Sequence, residues 1–139
     1  MMGENALTVK LIKRLNEISG CRARKRHGGK FQSGDPDVAV VYKGHAVYIE
    51  VKVLGGALTK LQAFQLARWA EAGATCLLVV FDEKTKLARV LEPDTEGLWM
   101  SLAERRVDKI PGFDRISEHR LEGPEWEGIM TSGVGKYRG

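Results

Sequence analysis

Residues 34–53 read GDPDVAVVYKGHAVYIEVKV. Two runs of alternating apolar residues, 38–42 and 46–53, flank a lysine-glycine pair, and charge intrudes at their outer ends. Side chains alternate faces along a strand. In the second run Val47, Ile49, Val51 and Val53 share one face, suited to a core, which leaves Tyr48, Glu50 and Lys52 on the other. The first run sorts into Val38, Val40 and Tyr42 against Asp37, Ala39 and Val41. A turn at Lys43-Gly44 pairs Tyr42 with His45 and Val38 with Ile49, whether the loop holds two residues or four. Asp37 then stands directly opposite Glu50.

Opposed side chains on one sheet face lie with their Cβ atoms ~5 Å apart. Two carboxylates at that spacing repel, and a divalent cation between them turns the repulsion into a site. Mg2+ takes hard oxygen ligands, one or two of them carboxylates and the rest water or substrate phosphate. Lys52, two residues beyond Glu50 on the same face, adds an ammonium group. Acid, acid and lysine around a cation is equipment for phosphodiester hydrolysis. The same residues also admit a plain reading, with Asp37 ending a turn and Glu50 and Lys52 guarding a sheet edge against aggregation.

Upstream, residues 21–30 read CRARKRHGGK, in which Arg22, Arg24, Lys25, Arg26, His27 and Lys30 meet no acid. Against a net charge of only +4, this local run is the electrostatic footprint of a polyanion-binding segment, or a solvated loop. Before it, NALTVKLIKRLNEI (5–18) spaces Leu7, Leu11, Ile12, Leu15 and Ile18 as one helical face, closed by Gly20.

After the hairpin, TKLQAFQLARWAEAG (59–73) reads as a second helix, TCLLVVF (75–81) as a strand buried on both faces, and LARVL (87–91) as a strand returning beside it. A third helix is expected over 98–107, and the glycine-rich end GIMTSGVGKYRG is expected to fray. The order α-β-β-α-β predicts an α/β fold with a central mixed β-sheet flanked by helices. Residues 1–91 form its core, and 92–139 are an extension with no assigned role.

Cys21 and Cys76 form no CxxC pair, which speaks against a disulfide scaffold or a zinc site. No apolar run is long enough to span a bilayer, and MMGENALTVKLIKRL lacks a secretory signal. A cytoplasmic protein is expected, in the host cytoplasm if viral.

GDPD, a short apolar strand, a glycine turn and IEVK together resemble the PD-(D/E)XK nuclease superfamily. They are more closely similar to its virus-type replication-repair nuclease (VRR-NUC) family. The likeness runs from about residue 4 to residue 80 and takes in ENALTVKLIKRL, KRHGG and LTKLQAFQLARWAEAGA. It implies a restriction-endonuclease-like core, with Asp37, Glu50 and the backbone carbonyl of Val51 holding Mg2+ (Mn2+ able to substitute) and Glu4 reaching in from the first helix. Lys52 would be the catalytic lysine and Gln62 a further catalytic residue. Gln62 has a second reading, since Thr59-Lys60-Leu61-Gln62 fits a capping box; its helical stripe with Leu66 and Trp69 points it toward the sheet. Asp35 departs from the uncharged residue that relatives often carry there.

The resemblance further implies a homodimeric DNA endonuclease leaving 5′-phosphate ends, selective for junction or branched DNA in replication, repair or recombination. Arg22, Arg24, Lys25, Arg26, His27 and Lys30 would grip the DNA backbone. The alternatives are a nucleic-acid-binding module that keeps the fold without cleaving, and a sequence-specific restriction-type nuclease.

Overall fold

The computed structural model describes residues 3–26, 34–132 and 136–139. His27 and Lys30, two of the expected DNA contacts, lie outside the described residues. Helix α1 (Glu4–Asn16) leads into strand β1 (Cys21–Lys25), followed by β2 (Val38–Tyr42), β3 (His45–Val53), α2 (Lys60–Glu71), β4 (Thr75–Phe81) and β5 (Leu87–Pro93). Then come α3 (Glu96–Leu102), two 3-10 turns (Val107–Lys109 and Phe113–Arg115), β6 (Glu118–Arg120), α4 (Trp126–Ser132) and β7 (Lys136–Tyr137).

One seven-stranded mixed sheet runs β1-β2-β3-β4-β5-β6, with β7 beside the end of β5. β3 and β4 are parallel because α2 carries the chain across the sheet between them, whereas the β1–β2, β2–β3, β4–β5 and β5–β6 pairs are antiparallel. The expected order lacked β1. CRARK buries only Ala23 deeply, so no apolar alternation marks it as a strand; its pairing with β2, Cys21 to Tyr42 through Lys25 to Val38, makes it one.

The hairpin has the expected register, Tyr42 with His45 and Val38 with Ile49. Both turn residues are left-handed, Lys43 at φ 47° and Gly44 at φ 82°, as a two-residue turn of this hand requires. Lysine is a poor occupant of that conformation, which asparagine tolerates. Lys43→Asn is expected to raise stability by up to ~1 kcal/mol, read as a higher urea midpoint at unchanged slope.

Helices cover both faces. On the back, Leu7, Leu11 and Leu15 of α1 and Trp126, Ile129 and Met130 of α4 pack on Val38, Val40, Val47, Ile49 and Val51. On the front, Leu66 and Ala67 of α2 and Trp99 and Leu102 of α3 pack on Cys76, Leu78, Val80 and Leu91. The terminal stretch expected to fray therefore contributes core through Ile129 and Met130, and just before it Trp126 is fully buried, its indole N–H donating to the Arg120 carbonyl (3.1 Å). The third helix ends earlier than expected, at Leu102, and starts at a Thr95 cap whose hydroxyl accepts from the Leu98 amide (3.1 Å). Cys76 is a buried thiol, pushed up to about 12 chiefly by burial and so inert; Cys21 lies against Met130 sulfur (3.8 Å). Among the described residues no helix is long and apolar enough to cross a membrane.

Candidate active site

The register of β2 and β3 carries one step past the Val38–Ile49 pair to set Asp37 opposite Glu50. Asp37 holds onto its neighbour directly, its Oδ2 accepting from the Val51 amide (2.9 Å). A strand residue sends its N–H and C=O to the same side, so the Val51 carbonyl also faces the Asp37 side, where β2 has ended and offers it no ladder partner.

Glu50 is 1% exposed, and among the described residues neither carboxylate oxygen has a hydrogen-bond donor. Lys52 Nζ stands 3.6 Å from Glu50 Oε2. That pair alone would hold Glu50 ionised, yet its pKa is raised to about 9. Burial is the main cause, followed by the charge of Asp37 and the proton that the two carboxyls can share; Glu4 adds repulsion, and Lys52 offsets only part of the sum.

Glu4, on the first turn of α1, joins the cluster from another element. Its carboxyl is also raised, first by burial, with Lys52 pulling down, Asp37 pushing up and the Val53 backbone pulling down. Glu4, Asp37, Glu50 and Lys52 thus form one electrostatic unit. It is an open one: among the described residues no three Asp, Glu, His or Cys side chains are gathered closely enough to cage an ion by themselves. The donor set nonetheless suits Mg2+, which fills most of its shell with water and substrate oxygens. An orphaned, buried carboxylate facing a second carboxylate is the feature that a cation would satisfy.

Gln62 goes elsewhere. Its Oε1 accepts from the Thr59 amide (3.0 Å) while Thr59 Oγ1 accepts from the Gln62 amide (3.0 Å), closing the capping box. The expected inward orientation gives way because the free Thr59 amide at the helix start engages the Gln62 side chain. Gln62→Glu preserves this box, and both melting temperature and cleavage are expected to stay near wild type. Thr59→Ala is expected to cost ~1 kcal/mol, read by urea denaturation.

The basic segment divides by face. Arg22 and Arg24 are exposed on the front, while the Lys25 ammonium donates to Asn5 Oδ1 (2.8 Å) on α1. Arg26 is a brace: its amide donates to the Asp37 carbonyl (2.9 Å), its guanidinium pairs with Asp35 (3.2 Å), and it lies over the rings of Tyr48 (5.7 Å) and Trp69 (6.0 Å). Asp35 therefore serves to anchor the loop that presents Asp37. Gly34, at φ 89°, sits so close to α2 that any Cβ there would collide with Leu61. Sequence reasoning left out the Arg26–Tyr48–Trp69 cluster, although the alternation already put Tyr48 on the Glu50 face.

No family model matches the sequence, and no curated protein matches it. Among solved structures the chain is similar to Hjc, a Holliday junction resolvase from Archaeoglobus fulgidus, an archaeal hyperthermophile. The TM-score is 0.51 at 19% identity, covering 64% of this chain and 71% of that one. The fold is restriction-endonuclease-like. A likeness at this identity speaks to the fold, and the narrower VRR-NUC resemblance rests on the sequence motifs alone.

Proposed function

We propose that the protein is a Mg2+-dependent DNA endonuclease that hydrolyses backbone phosphodiesters, selective for junction or branched DNA and acting inside the cell as a homodimer. The observation that carries this reading is the convergence of Asp37, Glu50 and Lys52, with the buried Glu50 carboxylate lacking a donor among the described residues. The fold shared with a Holliday junction resolvase adds support.

Asp37, Glu50 and the Val51 carbonyl would hold the ion, with Glu4 at the edge of its shell. When bound, Mg2+ supplies Lewis-acid polarisation of a phosphoryl oxygen and lowers the pKa of water at the site. Glu50 must lose its proton on loading, so affinity for the ion rises with pH. Lys52 orients the attacking water and balances negative charge that develops on the phosphate. Attack in line with the 3′-oxygen leaves a 5′-phosphate end. Gln62 is assigned to the helix cap and given no chemical step.

The test is cleavage of linear duplex, flap, four-way junction and supercoiled plasmid DNA in Mg2+, Mn2+ or EDTA. Metal-dependent cutting that favours the branched substrates is the expected result. Binding without cutting in any condition would favour the non-cleaving module, a reading that draws on the open acid cluster. Fixed-sequence cuts in long linear duplex would favour a restriction-type enzyme.

A further inference from the structure

Among the described residues, no element covers the front of the sheet over β1 and β2. Ala23 is buried against the back helices, so its neighbours Arg22 and Arg24 face the front. Arg22 pairs with Val41, and Arg24 with Ala39, which in turn pairs with Tyr48. Val41 is 53% exposed, which shows that α2 does not reach this part of the sheet. Across from the arginines, Tyr48 and Trp69 pack ring to ring at 4.7 Å, and the Arg26 guanidinium lies over both rings, adding a third cation to this wall. The result is a trough with cations on one wall, aromatic rings on the other and small apolar side chains for a floor. One row further along, it opens onto Asp37 and Glu50.

We infer that this trough binds a single-stranded arm of the nucleic-acid substrate and feeds it to the acids. The inference rests on the nucleic-acid reading above and narrows it to substrates with an unpaired strand. From β1 to β3 is two strand spacings, ~9.5 Å, the width of one polynucleotide strand and too narrow for a duplex. Arg22 and Arg24 are ~6.7 Å apart along the strand, comparable to the separation of successive phosphates. Cations that track a backbone, together with aromatic rings that take bases, are the two elements of sequence-tolerant single-strand binding. Among the described residues neither arginine has an ion pair, so both are available to phosphates. A second copy of the chain is the poorer occupant, because a two-fold contact through this face would set arginines against arginines.

The experiment is fluorescence anisotropy in EDTA, with labelled oligothymidine about a dozen nucleotides long and a hairpin duplex of matched length. Val41→Glu places a carboxylate on an exposed floor position; it is expected to weaken oligothymidine binding about tenfold or more and duplex binding much less. Arg22→Ala with Arg24→Ala should lower the single-strand salt slope by about 1.4. Trp69→Ala should cost about tenfold, with Trp69→Phe restoring most of it. Unchanged oligothymidine affinity in Val41→Glu overturns the inference, as does an equal loss on duplex. So does a shift from dimer to monomer on sedimentation, which would make the face a self-interface. Oligothymidine binding that survives while every DNA resists cleavage would refute the nuclease reading and leave the trough standing.

Discussion

Asp37→Asn is expected to lower the Mg2+-dependent cleavage rate by a factor on the order of 10³ while leaving DNA affinity close to wild type. Asparagine keeps an oxygen for the Val51 amide, which Asp37 Oδ2 now accepts at 2.9 Å, so the loop and the strand stay in place. What it removes is one of the two opposed negative charges that would hold the cation. Affinity is spared because phosphate contacts come from residues away from the acids. Single-turnover cleavage and anisotropy in EDTA separate the two quantities. Removing a charge from a cluster of Glu4, Asp37 and Glu50 also relieves repulsion, so the variant should melt above wild type in EDTA. Wild-type cleavage by Asp37→Asn would remove Asp37 from the metal site.

The second large effect concerns stability and pH. Glu50 has a folded pKa of about 9 against an ordinary value of 4.5. Between those values the folded chain binds a proton that the unfolded chain has released. Stability from this group is therefore fully present below the unfolded value and is lost as pH rises through the window toward the folded value. The slope reaches at most ~1.4 kcal/mol per pH unit. In EDTA the wild type should weaken steadily from about pH 5 to pH 9, whereas Glu50→Gln should show a much flatter profile and be the more stable protein at pH 8. A glutamine amide can donate to Asp37, which the glutamate at high pH cannot. Mg2+ at 100 times its dissociation constant should return about 2.7 kcal/mol to the wild type and nothing to Glu50→Gln. Parallel pH profiles for the two proteins would show that Glu50 is not a buried, uncompensated acid. The variant that folds best is then the one that cannot cut, the usual relation between a strained site and stability.

These two residues show how legible the site was. Period-2 alternation on either side of Lys43-Gly44 is a local pattern, and a turn at that pair determines which residues face one another; Asp37 opposite Glu50 followed from counting. Ala39 and Tyr48 were equally open to that count, which is why the trough floor and its aromatic wall are readable in retrospect. Arg26 was not. Its role depends on Asp35, Tyr48 and Trp69 arriving from three different segments, and in the linear sequence it is one more cation in a basic run.

By itself the sequence determined the hairpin register, the α2 capping box and the division of β3 into an apolar face and one bearing Glu50 and Lys52, because each rests on side-chain periodicity or on contacts within a few residues. Tertiary structure alone decided three things. β1 is a strand only through its pairing with β2, since a single deeply buried alanine gives no pattern to read. α4 is core only because the back of the sheet leaves Trp126, Ile129 and Met130 a place to bury apolar surface. Glu50 becomes an unusual acid only when the surrounding elements remove its water, since desolvation is a property of the packed environment and not of any neighbour in the chain.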